Sequence, residues 1–280
     1  MQARQPYLHA GLVHSFLNTH SPPVAAILLA TFAACALAMK AMHAAQTSTL
    51  ATPLKKNIAT ARRNKLEFPL AKECMSWLPS LLVPALAAHD CLRMTKIALQ
   101  NPKYAMDVPA GPGTFAAVAA IVGYMLFDCC VLLKWAEESK ASMGTEMYYV
   151  IWFHHLLSVC LWPLAIQCDT GSALIGWFLI SESSNLTLML RTVMLKLNLG
   201  SHFMFAPLTL LWILHFTVTR IVPLPLLVYF LASAEIGHKS PALRFFSYFT
   251  GPLPLLLNMY WFVLIVIGVS TRFFGKQRRE

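Results

Sequence analysis

The sequence has few charged side chains. Asp, Glu, Lys and Arg together make up 12% of its 280 residues, whereas hydrophobic residues make up 57%. A soluble domain typically carries about twice that charged fraction. Because a water-soluble fold could not bury so much apolar surface, the composition excludes an ordinary soluble domain. It indicates a protein that lies in a lipid bilayer.

The sequence also lacks paired cysteines and metal-ligand motifs. Seven cysteines are present, but none form a Cys-x-x-Cys pair, and no Cys/His spacing is typical of zinc. Four of them lie in apolar runs, where a thiol is usually a small core residue: Cys35, Cys129, Cys130 and Cys160. We therefore expect no disulfide framework, no metal site and no bound cofactor.

Acidic residues are scarce as well. There are 12 Asp and Glu against 22 Lys and Arg, which gives a formal net charge of +10. In a membrane protein this excess is typical of basic residues kept on the cytoplasmic side, so we expect no nucleic-acid partner. The first 66 residues contain no Asp or Glu, as in some organelle targeting sequences, but they show a poor Arg-rich amphipathic pattern.

Several apolar runs are long enough to cross a hydrocarbon core, which takes roughly 20 helical residues. Because the runs are continuous and lack two-residue alternation, they predict helices and not a β-barrel. Pro223 and Pro225 free the carbonyls of Thr219 and Ile221, so we expect a kink in the sixth run. We predict an all-α integral membrane protein with about seven transmembrane helices, near Pro23–His43, Met75–Met94, Phe115–Trp135, Met147–Cys168, Ser172–Met194, Phe203–Leu231 and Leu253–Phe273.

Basic residues predict the orientation of these helices. The loop after the first span and the C-terminal tail are both rich in Lys and Arg, and six spans separate them. They therefore lie on one side, which the positive-inside rule assigns to the cytoplasm. This predicts a non-cytoplasmic segment 1–22, a peripheral first transmembrane helix 23–45, a basic cytoplasmic loop 46–69, a six-helix domain 70–273 and a basic cytoplasmic tail 274–280.

Polar residues inside the predicted spans are the main functional signal. An ionisable side chain in hydrocarbon is costly unless it is paired or faces a cavity. A structural role is an equal alternative for any one of them, but the whole set favours six helices around a polar cavity. The candidates are Asp128, His154, His155, Glu182, Asn185, Arg191, His215, Arg220, Asn258 and Tyr260.

Two of these residues are expected to form a catalytic pair. His154 lies roughly 10 Å in from the cytoplasmic end of its span, and Asp128 lies at a similar depth. A carboxylate that accepts from one imidazole nitrogen would leave the other nitrogen basic. Since adjacent helical residues point about 100° apart, we expect His154 to face inward and His155 to face a helix interface.

A second polar layer is expected nearer the membrane centre. Glu182, His215 and Arg220 share that depth. Arg191 lies near the cytoplasmic end of its span, where a long basic side chain can reach the interface. Metal binding by the paired histidines and the nearby acids is disfavoured, because their spacing is not His-x-x-x-His.

Five short motifs, in this order, resemble those of the TLC-domain family (TRAM/Lag/CLN homology). Each is weak alone, but their order and their positions in the spans support one another. The resemblance covers about residues 70–273 and leaves the first helix outside. The motifs are Gly123-Tyr124 with Asp128, His154-His155, Glu182-Ser183-Ser184 with Arg191, Arg220 with Pro225, and Asn258-Met259-Tyr260-Trp261-Phe262 with Gly268.

The resemblance implies a six-helix membrane barrel around a lipid-accessible cavity. In the family's ceramide synthase branch, which moves acyl groups from acyl-CoA to a sphingoid amine, the paired histidines are essential. Carried over, His154 would be the acyl-accepting nucleophile or base, supported by His155 and Asp128. The further His-Asp segment of that branch is missing, which makes this chain more similar to the non-synthase branches, whose roles include phospholipid composition, lipid sensing and cargo escort.

Four hypotheses for function follow. The first is a protein that binds or acts on lipid acyl chains, with acyl transfer through His154 and acyl-CoA as co-substrate. The second is a non-catalytic lipid-binding or regulatory protein, and the third is an accessory subunit of an organellar membrane complex with protein partners. A seven-helix receptor is last, because Asp-Arg-Tyr and Asn-Pro-x-x-Tyr motifs are missing.

Membrane lipids are the expected partners, and the expected location is the endoplasmic reticulum membrane, with the mitochondrial inner membrane or another organelle membrane as the alternative.

Overall fold

A computed structural model describes residues 25–41 and 75–274, and helices dominate this part of the chain. The segments 1–22, 46–69 and 275–280, on which the predicted orientation depends, lie outside the described residues. In chain order the helices are α1 Ala25–Ala41, α2 Trp77–Gln100, α3 Pro112–Lys134, α4 Ala136–Met143, α5 Thr145–Gln167, α6 Ser172–Ser181, α7 Ser184–Lys196, α8 Phe205–Phe216, α9 Leu224–Ser233, α10 Pro241–Thr250 and α11 Pro252–Phe274.

Five helical stretches among the described residues are long and apolar enough to cross a membrane. Two more predicted spans coincide with helices that miss this standard: α2 is long enough but less apolar, and α1 has 17 described residues. The prediction of an all-α, multi-pass integral membrane protein is confirmed. The five stretches are Pro112–Lys134, Thr145–Gln167, Ser172–Lys196, Phe205–Ser233 and Pro241–Thr271.

The start of α3 is fixed by a buried carboxylate on α2. Asp90 is 5% exposed, and its Oδ2 accepts a hydrogen bond of 2.9 Å from the backbone N–H of Thr114. A carboxylate at a helix N-terminus is favoured by the free N–H groups and the helix dipole. A Cβ atom on Gly111 would collide with this carboxylate, so the glycine allows the close approach. This contact sets the position of α3, and with it that of Asp128.

The main core lies where α2, α3 and α6 pack together, and Met94, Ile121 and Leu179 are fully buried there. Helix α1 packs on the other side of α3. The carbonyl of Leu28 lies where a Cβ atom of Gly123 would be, so the absence of that atom lets the two backbones approach closely. The first helix, which is outside the predicted six-helix domain, therefore contacts α3 directly.

Two long runs lose regular α-helical hydrogen bonding near their middles. At Glu182 and Ser183 the backbone N–H groups bond three residues back, to Leu179 (3.3 Å) and Ile180 (3.1 Å). The other run contains a π-helical turn at Thr217–Ile221, just before Pro223, where the expected kink falls. Such turns are frequent at functional sites. The first of these breaks contains Glu182, and the second contains Arg220.

Candidate functional site

Glu182 and Arg220 lie together inside the helix bundle. The Nη2 of Arg220 is 3.8 Å from Oε1 of Glu182. Arg220 is 5% exposed and Glu182 is 6% exposed. Buried charges of this kind persist only when they are paired and hydrogen-bonded. The two backbone breaks therefore bring opposite charges to one level of the bundle.

Arg220 is held by three neutral acceptors as well as by the carboxylate. Its Nε donates to Ser184 Oγ (2.9 Å), its Nη1 to Asn258 Oδ1 (3.0 Å) and its Nη2 to Asn185 Oδ1 (3.2 Å). Asn185 in turn donates from Nδ2 to Glu182 Oε2 at 2.7 Å. This polar layer, formed by Glu182, Ser184, Asn185, Arg220 and Asn258, joins α7, the π-helical turn and α11.

His215 does not hydrogen-bond within this layer, contrary to the sequence prediction. Its Nε2 lies 3.1 Å from Ser183 Oγ and its Nδ1 lies 3.4 Å from Thr187 Oγ1. Ser183 lies just before α7 and Thr187 lies one helical turn further on, whereas Arg220 bonds to Ser184 and Asn185. His215 therefore belongs to the contact between α7 and α8.

Asp128 pairs with His155, so the predicted pairing with His154 is wrong. The Oδ2 of Asp128 lies 3.0 Å from Nε2 of His155, and the residues are 3% and 7% exposed. The two adjacent histidines do point in different directions, about 100° apart around the helix. However, α5 is rotated about its axis so that His155, and not His154, faces α3. The Nδ1 of His155 is buried and has no hydrogen-bond partner among the described residues.

His154 lines a cavity instead. No hydrogen bond joins either of its ring nitrogens to a residue in the described part of the chain. Its ring lies 5.6 Å from that of His155, centroid to centroid. An imidazole without a protein partner, next to an Asp–His pair and facing open space, is available to a ligand.

Trp261 connects His154 to the polar layer. The centroid of its ring lies 5.5 Å from that of His154, in an edge-to-face arrangement, and 5.4 Å from Cζ of Arg220. Trp261 was quoted in the fifth motif but was not predicted as a site residue. The spacing in the sequence could have identified it. Trp261 follows Asn258 by three residues, which is nearly one helical turn, so the two side chains lie on the same face of the helix.

The cavity is lined mostly by apolar side chains. Its volume is about 690 Å³, including space open to the surroundings, and its walls come from α5, α6, α10 and α11. Phe153 on α5 is 52% exposed, and lining residues on α10 and α11 are partly exposed. The open side therefore lies between α5 and the α10–α11 pair.

Most of the polar residues that were predicted to surround a cavity pack against one another beside this one. Among the predicted site residues, only His154 lines the space. Glu182, Asn185, Arg220 and Asn258 satisfy one another beside it, because a buried ion pair is stable only when its hydrogen bonds are made. The other polar lining groups are hydroxyls on Ser158, Thr170, Ser247 and Thr250.

Arg191 and Tyr260 lie away from the cavity. The Cζ of Arg191 is 5.0 Å from the ring of Trp212 and 5.5 Å from that of Phe205, so its guanidinium packs on aromatic faces of α8. Tyr260 is 41% exposed on the outer surface of α11. Within residues 25–41 and 75–274, no three His, Cys, Asp or Glu side chains are grouped so that they could hold a metal ion.

The comparison with protein families matches the part of the chain that contains these residues. The family model of the TLC domain matches residues 71–267, which is more than half of the chain. The chain belongs to the TLC-domain family. Its TLC domain thus contains the Asp128–His155 pair, the cavity and the polar layer, whereas α1 lies before the matched region. No curated protein and no solved structure matches the chain.

Proposed function

We propose that this TLC-domain protein binds the acyl chain of a lipid in the cavity and transfers the acyl group through His154. The observation that carries the proposal is His154 itself, an imidazole at the cavity wall without a hydrogen bond to the described residues. The apolar lining suits a hydrocarbon chain, since each buried methylene contributes about 0.8 kcal/mol. Acyl-CoA is the proposed donor.

The transfer has two balanced steps. A neutral ring nitrogen of His154 attacks the thioester carbonyl, the carbon–sulfur bond breaks, and the leaving thiolate takes up the proton that the imidazole loses. A lipid hydroxyl or amine then attacks the acyl-imidazole, the carbon–nitrogen bond breaks, and the acyl group moves to the acceptor. The apolar surroundings keep out water, which would otherwise hydrolyse the acyl-imidazole.

The Asp128–His155 pair supplies a proton acceptor beside His154. With its Nε2–H directed to the carboxylate, His155 presents an unprotonated Nδ1, and this atom has no partner in the described part of the chain. A base held in one tautomer by a carboxylate is a familiar catalytic arrangement. In this scheme His155 takes up the proton of the attacking hydroxyl or amine and returns it to the departing ring nitrogen of His154, which becomes a neutral imidazole again.

The test is to incubate the purified protein with acyl-CoA and to map acyl adducts by mass spectrometry. We expect an adduct on the His154 peptide that is lost in His154→Ala and kept in His89→Ala, since the side chain of His89 is 92% exposed. If chains of several lengths copurify with the protein but never give an adduct, the protein is a non-catalytic lipid binder. That outcome would overturn the transfer and retain the binding.

The orientation and location are part of the proposal. The basic loop 46–69 and the tail 274–280 support a cytoplasmic position for the Lys134 end of α3 and a non-cytoplasmic segment 1–22. Cytoplasmic acyl-CoA would then reach His154 from the Lys134 end. We propose the endoplasmic reticulum membrane and a role like that of the non-synthase branches of the family. In sealed microsomes, a protease added from outside should cleave a tag at the cytoplasmic C-terminus. A tag that is protected from the protease would contradict this orientation.

A further inference from the structure

The cavity has one closed end, opposite the level of His154. Met106 and Thr170 line it there and are 3% and 2% exposed, and Gly171 beside them is buried too. We call these three residues the cavity end. They come from the short helix Pro102–Asp107 and from the turn between α5 and α6, which meet at the same end of the bundle. Hydrocarbon that lies along the cavity from His154 meets this wall at its far end.

We infer that the cavity end limits the length of the acyl chain that the protein accepts, with Met106 as the residue that sets the limit. The inference rests on the proposed function, because it takes the carbonyl of the acyl group to lie at His154. The terminal methyl group then lies against the Met106 side chain. Chains that are too long would have to displace a wall that is packed and hydrogen-bonded.

Several contacts make this wall rigid. The backbone N–H of Gly171 donates to the carbonyl of Met106 at 2.9 Å, and Cε of Met106 lies 3.2 Å from the place where a Cβ atom on Gly171 would be. Behind the wall, Nζ of Lys239 lies 2.5 Å from Asp107 Oδ1 and donates to Thr170 Oγ1 at 3.1 Å. The Lys239 and Asp107 side chains are 9% and 22% exposed, so the ion pair is only partly reached by water.

The length of the cavity fits one chain of an ordinary membrane lipid. One face of α5 lines it from His154 to Ala165, a distance of roughly 16 Å at the rise of an α-helix. This is about half of a hydrocarbon core, and therefore about the reach of one acyl chain in one leaflet. We expect palmitoyl and stearoyl chains to fit and tetracosanoyl chains to be rejected.

The experiment changes the wall and measures which chains bind. The His154→Ala protein, which cannot form the adduct, is offered an equimolar mixture of dodecanoyl- to tetracosanoyl-CoA, and bound chains are quantified by native mass spectrometry. Adding Met106→Ala should raise the ratio of longer to palmitoyl chains by about tenfold, because roughly two more methylenes can be buried. Adding Met106→Trp should move the ratio toward shorter chains. The matched control is Met94→Ala, since Met94 is 0% exposed and does not line the cavity.

A second pair of variants tests the ion pair behind the wall. Lys239→Gln should broaden the range of bound chains, whereas Lys103→Gln at the same end should not, because the Lys103 side chain is 50% exposed and pairs with Glu235 away from the cavity lining. Equal profiles for both lysine variants would show that the pair does not brace the wall.

The outcomes separate this inference from the proposed function. An unchanged length profile in both Met106 variants, with the adduct still formed on His154 in the otherwise unchanged protein, would overturn the limit and keep the transfer. A shifted profile without any adduct would keep the limit and overturn the transfer. If neither the unchanged protein nor any variant retains an acyl chain, the length limit and the transfer are both wrong.

Discussion

The indole of Trp261 lies edge-to-face against the imidazole of His154, with ring centroids 5.5 Å apart. The same indole lies 5.4 Å from the guanidinium carbon of Arg220. A single side chain of α11 therefore contacts both the cavity histidine and the buried cation. The position of the His154 ring depends in this way on the polar layer beside it, although that layer does not line the cavity.

Replacing Trp261 should affect both neighbours. Trp261→Leu removes the cation–π contact with Arg220, worth up to about 2 kcal/mol where water is excluded, and frees the His154 ring to rotate. We expect a lower melting temperature in detergent and slower acyl-adduct formation, both partly restored in Trp261→Phe. Tyr260→Leu is the control, because the adjacent Tyr260 is 41% exposed. Equal effects of the two leucine variants would show that Trp261 has no special role.

Removing Arg220 should be strongly destabilising. Arg220→Leu leaves the Glu182 carboxylate buried without its cation, and breaking a buried pair in this way costs about 3–5 kcal/mol of the free energy of unfolding. The double variant Glu182→Leu with Arg220→Leu should recover much of that loss, because no charge then remains unpaired. Thermal unfolding in detergent, followed by circular dichroism, measures both, and Lys103→Leu serves as the comparison, because its ion pair with Glu235 is exposed. An Arg220→Leu protein that melts like the parent would refute the pairing.

Gly123 should be intolerant of even one added carbon. In Gly123→Ala the new Cβ would meet the carbonyl of Leu28, which is backbone and can move only if α1 moves. Overpacking of this kind costs about 1–3 kcal/mol. Gly268→Ala on α11 is the matched control, because a Cβ there meets no atom within 4 Å and the helix gains propensity. Comparing the melting temperatures of the two variants checks the contact, and a Gly123→Ala protein as stable as the control would mean that α1 does not pack there.

The Asp128–His155 pair should matter for rate more than for stability. Asp128→Asn removes the charge that favours one tautomer of His155, and general-base assistance of this kind is worth about 100-fold in rate. We expect slower acyl transfer from His154 to an added acceptor, measured by single-turnover loss of the adduct. Glu137→Gln is the control, since that carboxylate is 85% exposed and pairs with Lys140 on the short helix α4. Unchanged transfer in Asp128→Asn would assign the pair a purely structural role.

Much of the architecture could be predicted because it depends on local composition. A bilayer demands long apolar helices, so the seven predicted spans all coincide with helices, and Pro223 and Pro225 marked the break that contains Arg220. The sequence also identified the polar residues inside the spans, since ionisable groups in hydrocarbon are rare and costly. What failed was the choice of partners: His155 pairs with Asp128, and His215 lies in a different contact.

By itself, the sequence determined that the chain is helical, that it enters a membrane and which few polar side chains need an explanation, because these properties follow from the energetics of single residues in lipid. Only the tertiary structure decided which of two adjacent histidines faces α3, that Trp261 contacts both His154 and Arg220, and that Met106 lines the cavity. These depend on how each helix is rotated about its own axis. That rotation is set by packing contacts between residues far apart in the chain, such as Leu28 against Gly123 and Asp90 against Thr114.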